Sequence, residues 1–145
     1  MQLFAFYSLL FPAPSGAATS GVPILHRAKY AKGLLYVLTV PQAQGDLYAY
    51  PQPVLNTLRD VLGKEMYVRL DAPSRVSLFV YDNDKFIVES FQENPVPNAR
   101  VITDQRITKL RDMLTGQVLT GTPQGATTVF TTPLVPGSYR VFSAE

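Results

Sequence analysis

From residue 66 onward the chain is a succession of short runs rich in β-branched and aromatic residues: MYVRLDAPS, RVSLFVYDND, KFIVESFQEN, ARVITD, ITKLRDMLTGQVLTG, TTVFTTPLVPG and SYRVFSAE. Turn-forming residues separate them, at Asp71-Ala72-Pro73-Ser74, Asp82-Asn83-Asp84, Pro95-Val96-Pro97-Asn98, Thr115-Gly116 and Pro136-Gly137. Such punctuation leaves no room for long helices and predicts strands joined by tight turns. Val76, Leu78 and Val80 alternate with Ser77, Phe79 and Tyr81, and Phe86 and Val88 with Ile87 and Glu89. A period of two with one clearly apolar face predicts an antiparallel β-sandwich, Greek-key-like in its connections, over residues 66–145. Val76, Leu78, Val80, Ile87 or its neighbours, Val101, Leu114, Val129 and Val141 are its expected core, and Asp82-Asn83-Asp84 its clearest hairpin turn.

The first 65 residues read differently, as a small α/β segment. Residues 22–28 and 33–40 are two expected strands, joined by Lys29-Tyr30-Ala31-Lys32-Gly33, with Gly33 free to take a positive φ. Residues 34–40, LLYVLTV, show almost no polar alternation, the pattern of a strand covered on both faces. Pro51 and Pro53 suit the first turn of a helix over 53–62, with Val54, Leu55, Leu58, Val61 and Leu62 on one face and Gly63 as its stop. The change of texture places the domain boundary at 65/66. Residues 3–11 read as a strand or short buried segment, a truncated element of something larger; the start lacks the basic region of a signal peptide.

Composition narrows the function. With 13 basic and 11 acidic residues, scattered along the chain, there is no electrostatic footprint for nucleic acid. No apolar run is long enough to cross a membrane as a helix. Cysteine is absent, which removes disulfides, thiolate ligands and a thiol nucleophile, and leaves the compartment open.

Reactive constellations are sparse. His26 is the lone histidine and no G-x-S-x-G elbow accompanies it, so it reads as a structural or surface side chain. Asp82, Asp84, Glu89 and Glu93 offer paired carboxylates of the kind glycosidases use, against turn chemistry as the plain reading. The Asp-Asn-Asp trio has oxygen ligands for calcium but lacks the glycine and distal glutamate of an EF-hand loop. No phosphate-binding glycine loop is present. The expectation is therefore no catalytic residue, no metal and no cofactor in this chain. Tyr48 and Tyr50, in the loop before the helix, are the candidate ligand-binding residues: exposed rings there would stack on a sugar face, or else pack under the helix with wet hydroxyls.

Two segments carry a family resemblance. Residues 26–41, HRAKYAKGLLYVLTVP, resemble the closing strands of the glutamine-amidotransferase-like domain of multidomain β-galactosidases and related glycoside hydrolases. Residues 110–119, LRDMLTGQVL, and 134–142, LVPGSYRVF, resemble the small β domain that ends many such enzymes, with Leu110, Leu114 and Leu119 filling its core. The resemblance implies a non-catalytic accessory or assembly domain of a carbohydrate-active protein, with a carbohydrate-binding module as the alternative. Its implied partners are a catalytic domain, a second copy of the chain, or a polysaccharide. The few elements of the N-terminal half cannot close a core alone, which points to self-association.

Overall fold

The computed structural model describes residues 25–38 and 50–145. The segment 3–11 and the candidate residue Tyr48 lie outside them. The chain divides into two compact units, Met1–Leu47 and Tyr48–Glu145. The helix, which the sequence reading grouped with the N-terminal half, thus packs with the β unit.

In the first unit, β1 (Leu25–Tyr30) and β2 (Gly33–Leu38) form an antiparallel hairpin in which Lys29 faces Leu34 and His26 faces Val37. The residue in the left-handed region is Ala31, at φ 50°, not Gly33. A two-residue turn needs its unusual backbone at the loop itself, and Gly33 is already in the strand. The expected double burial of 34–40 does not hold over its described part, 34–38, where Leu34, Leu35 and Val37 are exposed; residues 39 and 40 lie outside the described residues.

The second unit opens with helix α1 (Gln52–Leu62), followed by nine strands: β3 (Val68–Asp71), β4 (Val76–Val80), β5 (Lys85–Ser90), β6 (Val96–Asp104), β7 (Lys109–Asp112), β8 (Val118–Thr120), β9 (Thr122–Gln124), β10 (Thr127–Leu134) and β11 (Tyr139–Ala144). They form a four-stranded sheet, ordered β3-β6-β10-β9, and a five-stranded one, ordered β4-β5-β11-β7-β8. The fold is the expected mostly-β sandwich with one helix. The chain crosses repeatedly between sheets, and the last strand, β11, enters the middle of the five-stranded sheet between β5 and β7.

The period of two explains the core. Val68, Leu70, Val101 and Phe130 from one sheet meet Val76, Phe86, Val88, Leu110 and Phe142 from the other. Phe86 and Phe142 stack tilted, with ring centroids 5.4 Å apart, a favourable aromatic geometry. Ile87 itself points outward and its neighbours carry the burial. Val141, expected in the core, is a correction: it is half-buried and pairs with Ile87 on the outer face, while its neighbour Phe142 takes the inward position. Leu114 is a correction: it stands 60% exposed, because the β7–β8 turn carries it out of strand phase. Gly121 is required by space: a Cβ there would lie 2.2 Å from Thr128 Cγ2 and 2.7 Å from Phe130 Cζ.

Helix α1 docks mainly by polar contacts. Asp71, on β3, accepts from Gln52 Nε2 at 2.9 Å, from Asn56 Nδ2 at 2.6 Å and from Arg100 Nη1 at 2.9 Å. Arg59 reaches the β3–β4 corner, donating to the carbonyls of Ala72, of Pro73 at 3.0 Å and of Val76 at 2.9 Å. Burial lowers the pKa of its guanidinium and the Asp71 charge opposes that; arginine remains charged either way. Of the expected apolar face, Val54 is buried and Leu62 is exposed. Gly63 does end the helix, but at φ −93°, donating its N–H to the Arg59 carbonyl, so the left-handed stop is absent.

Arg59→Met should therefore lower unfolding stability by roughly 2 kcal/mol, the scale of hydrogen bonds from a charged donor to carbonyls left without it. Leu62→Ser should stay within about 0.5 kcal/mol. Urea midpoints of the two variants check this; equal midpoints would mean that Arg59 does not hold the helix.

Candidate functional site

Within the second unit, the sequence-predicted candidates among the described residues form no common cluster of acidic side chains. Tyr50 is half-buried, and its hydroxyl is out of solvent without a hydrogen-bond partner among the described residues. Asp82 and Asp84 sit exposed at the β4–β5 turn, with Asp84 at φ 57°. The Asp84 carbonyl accepts from the Ala144 amide at 2.8 Å. Glu89 lies on β5, and Glu93 is exposed beyond it. His26 lies on β1 in the other unit. Among the described residues no three of His, Asp or Glu come together as a metal site requires, and no helix is long and apolar enough to cross a membrane.

The most concentrated buried polar chemistry was not expected. Asp112 ends β7 with its side chain 2% exposed, and Arg140 on β11 is 15% exposed. Both occupy inward strand positions, in phase with Leu110 and Phe142. Arg140 Nε donates to Asp112 Oδ2 at 2.7 Å, Nη2 donates to Gln117 Oε1 at 2.8 Å, and Nη1 donates to the Thr132 hydroxyl on the facing sheet. The guanidinium also lies 5.0 Å from the Phe142 ring centroid. Asp112 Oδ1 accepts from the Leu114 and Thr115 amides at 2.9 and 3.0 Å.

Burial alone would raise the Asp112 carboxyl. The Arg140 hydrogen bond and the Thr115 and Leu114 amides, with the guanidinium's attraction, outweigh it and hold the pKa below the ordinary value. A general acid near neutrality needs the opposite shift. Both carboxylate oxygens are engaged, so this cluster holds the fold and is not poised for proton transfer.

A second polar contact fixes the β4–β5 hairpin. Tyr67 donates its hydroxyl to the Lys85 carbonyl at 2.9 Å, with the Tyr81 carbonyl 3.3 Å away. Burial and then the Asp84 charge raise its pKa, which keeps it a donor.

The remaining surface of note is the outer face of the five-stranded sheet. Phe79 pairs in register with Ile87, Ile87 with Val141, and the Met113 amide donates to the Val141 carbonyl at 2.7 Å. These side chains form one apolar row across three strands and the first residue after β7. Phe79 and Met113 are exposed, as are Tyr81 and Tyr139 beside the row. Sequence reasoning missed this row because its members come from four separated segments. The alternation that placed Phe79 and Ile87 outward was the only available signal.

Asp112→Ala should destabilise by roughly 3 kcal/mol, since it leaves a buried guanidinium without its counter-charge. The pH dependence has a fixed sign. Because the folded pKa lies below the unfolded one, about 3.9, the stabilisation is complete above that value and lost as pH falls through the lower folded pKa. The stability gap between the wild type and Asp112→Asn should thus narrow below about pH 4. Urea unfolding at pH 7 and pH 3 measures it; a gap independent of pH would contradict the assignment.

The sequence model of a family described as "Probable glycosyl hydrolase, C-terminal domain" matches residues 67–144. No curated protein and no solved structure matches the chain. The matched span opens at Tyr67, just before β3, and closes at Ala144, the last residue of β11; helix α1 precedes it.

Proposed function

The chain belongs to the family of probable glycosyl hydrolase C-terminal domains, and from that premise we propose that it is a non-catalytic accessory domain serving a carbohydrate-active enzyme. The observation that carries this is the commitment of its most enclosed carboxylates. Asp112 and Asp71 have both oxygens engaged by arginine, amide or backbone donors. The others of interest, Asp82 and Asp84, serve an exposed turn. Glycoside hydrolysis needs two facing carboxyl groups with divergent pKa values.

The finer resemblance forms part of the same proposal: a β-galactosidase-type enzyme, with residues 26–41 closing an amidotransferase-like domain. Support comes from the β1–β2 hairpin, which falls inside that span. Self-association through the N-terminal half belongs to it too, supported by the exposure of Tyr30, Leu34, Leu35 and Val37. Edge strands with exposed apolar side chains pair readily with another copy.

The purified chain should release no reducing sugar from a panel of aryl-glycosides and polysaccharides above a buffer blank. Hydrolysis abolished by Asp82→Asn or Glu89→Gln would overturn the accessory reading. Light scattering on the eluting chain should give a multiple of 16.0 kDa. A monomer at high concentration would remove self-association while leaving the accessory role intact.

A further inference from the structure

We propose that the outer face of the five-stranded sheet is a binding platform for a linear, uncharged glycan, which crosses the strands along Phe79, Ile87, Val141 and Met113. The inference deepens the accessory reading and rests on it.

The geometry starts from register. Strands β4, β5, β11 and β7 are consecutive neighbours in the sheet, and Phe79, Ile87 and Val141, with Met113 just past the end of β7, occupy one line perpendicular to them. At about 4.8 Å per strand the line is roughly 14 Å long. Inward positions are taken by Phe86, Val88 and Phe142, all buried, so the row lies on the outer face, with Ile87 and Val141 half-buried. Phe79 is 43% exposed and Met113 49%.

The row is one residue wide. On one side lie Ser77, Glu89 and Tyr139, paired in register across β4, β5 and β11. On the other side lie Lys85, Ser143 and Arg111, likewise paired across β5, β11 and β7. Neighbouring rows on one face are about 7 Å apart, so the apolar strip covers on the order of 100 Å². A protein partner needs about 800 Å² per side with an apolar centre. Even with the exposed Tyr81 and Tyr139 beside it, this strip, bordered by Glu89, Lys85 and Arg111, falls far short of that.

An extended chain of sugar rings suits it. Each ring offers an apolar C–H face to stack on an aromatic side chain, and a rim of hydroxyls to hydrogen-bond. Phe79 in the row, with Tyr81 and Tyr139 flanking it, supplies the aromatic surface. Ser77, Glu89, Lys85 and Ser143 supply donors and acceptors on both rims.

Charge selects among glycans. The bordering charges are Glu89 and Lys85 on opposite sides, and Arg111, whose Nε donates to Glu145 at 2.6 Å. Arg111 is paired by Glu145 and Glu89 stands against Lys85, so the two bordering rows offer no net attraction to an anionic polymer; the next cation, Lys109, lies beyond them and also acts on Glu145. A neutral polysaccharide is the complementary class.

Affinity gel electrophoresis of the full chain tests this, with hydroxyethylcellulose, xylan, galactomannan or soluble starch as neutral polymers and polygalacturonate as the anionic one. At least one neutral polymer should retard the chain and polygalacturonate should not. Phe79→Ser and Tyr139→Ser should weaken the retardation at least about tenfold, the loss expected of a central aromatic anchor, with unchanged melting curves. Retardation by none of the four neutral polymers would overturn the platform, as would retardation that Phe79→Ser leaves intact. Stronger retardation by polygalacturonate would overturn its neutral chemistry. A change in oligomeric mass on Phe79→Ser would assign the face to a second copy and overturn the glycan. The accessory reading fails by hydrolysis and the platform by retardation, so the two failures are distinguishable.

Discussion

The ion pair between Asp112 and Arg140 fixes one end of the sandwich, and much else follows from it. Removing two charges from water is costly, and attraction alone does not always repay the cost. Here the remaining valences are filled. Two amides of the β7–β8 turn close on Asp112 Oδ1, while Arg140 spends its other nitrogens on Gln117 and on Thr132 of the opposite sheet. One cluster therefore shapes a turn, aligns β7 with β11 and ties the two sheets together. The shape of that turn also decides that Met113 and Leu114 emerge on the surface instead of in the core.

Helix α1 shows a second way of joining elements without much apolar burial. Eleven residues are too few for a stable isolated helix, and Val54 alone among them is buried. Its place is set by Arg59, which caps three carbonyls at the β3–β4 corner, and by Asp71, which gathers three donors. Such contacts specify one orientation more sharply than an oily stripe would, since each has a fixed direction.

Local patterns made much of this legible in the sequence. The alternation at 76–80 and 85–90, the turn trio Asp82-Asn83-Asp84 and the proline-led helix depend on neighbours within a few residues, and they appear where the sequence put them. What failed depended on distant partners. Leu114 reads as core by composition, yet a turn bent around Asp112 carries it outward. The run at 34–40 reads as doubly covered, but periodicity cannot say what would cover it. Asp112 and Arg140 were in phase with Leu110 and Phe142, so their inward direction was readable; that they meet required knowing that β11 lies beside β7. The aromatic candidates were sought in a loop, at Tyr48 and Tyr50, because a loop is where a sequence shows exposed rings. A sheet face assembles them only after strand order is known.

The two outer faces of the sandwich have different fates, and this bears on what the domain does. On the four-stranded sheet, β3 carries Arg69 and Asp71 outward, and both are engaged by the helix, Arg69 with Asp60 at 3.5 Å. On the five-stranded sheet the outward residues of β4, β5 and β11 have no such helix among the described residues. A sheet face exposed only to water has no need of Phe79, Ile87 and Val141 in line, where threonine, lysine or glutamate would serve the strands as well. Exposed apolar side chains in register raise the risk of aggregation. Their alignment is therefore better explained by something that rests on them than by the stability of the sandwich, whose core is complete on the inner side.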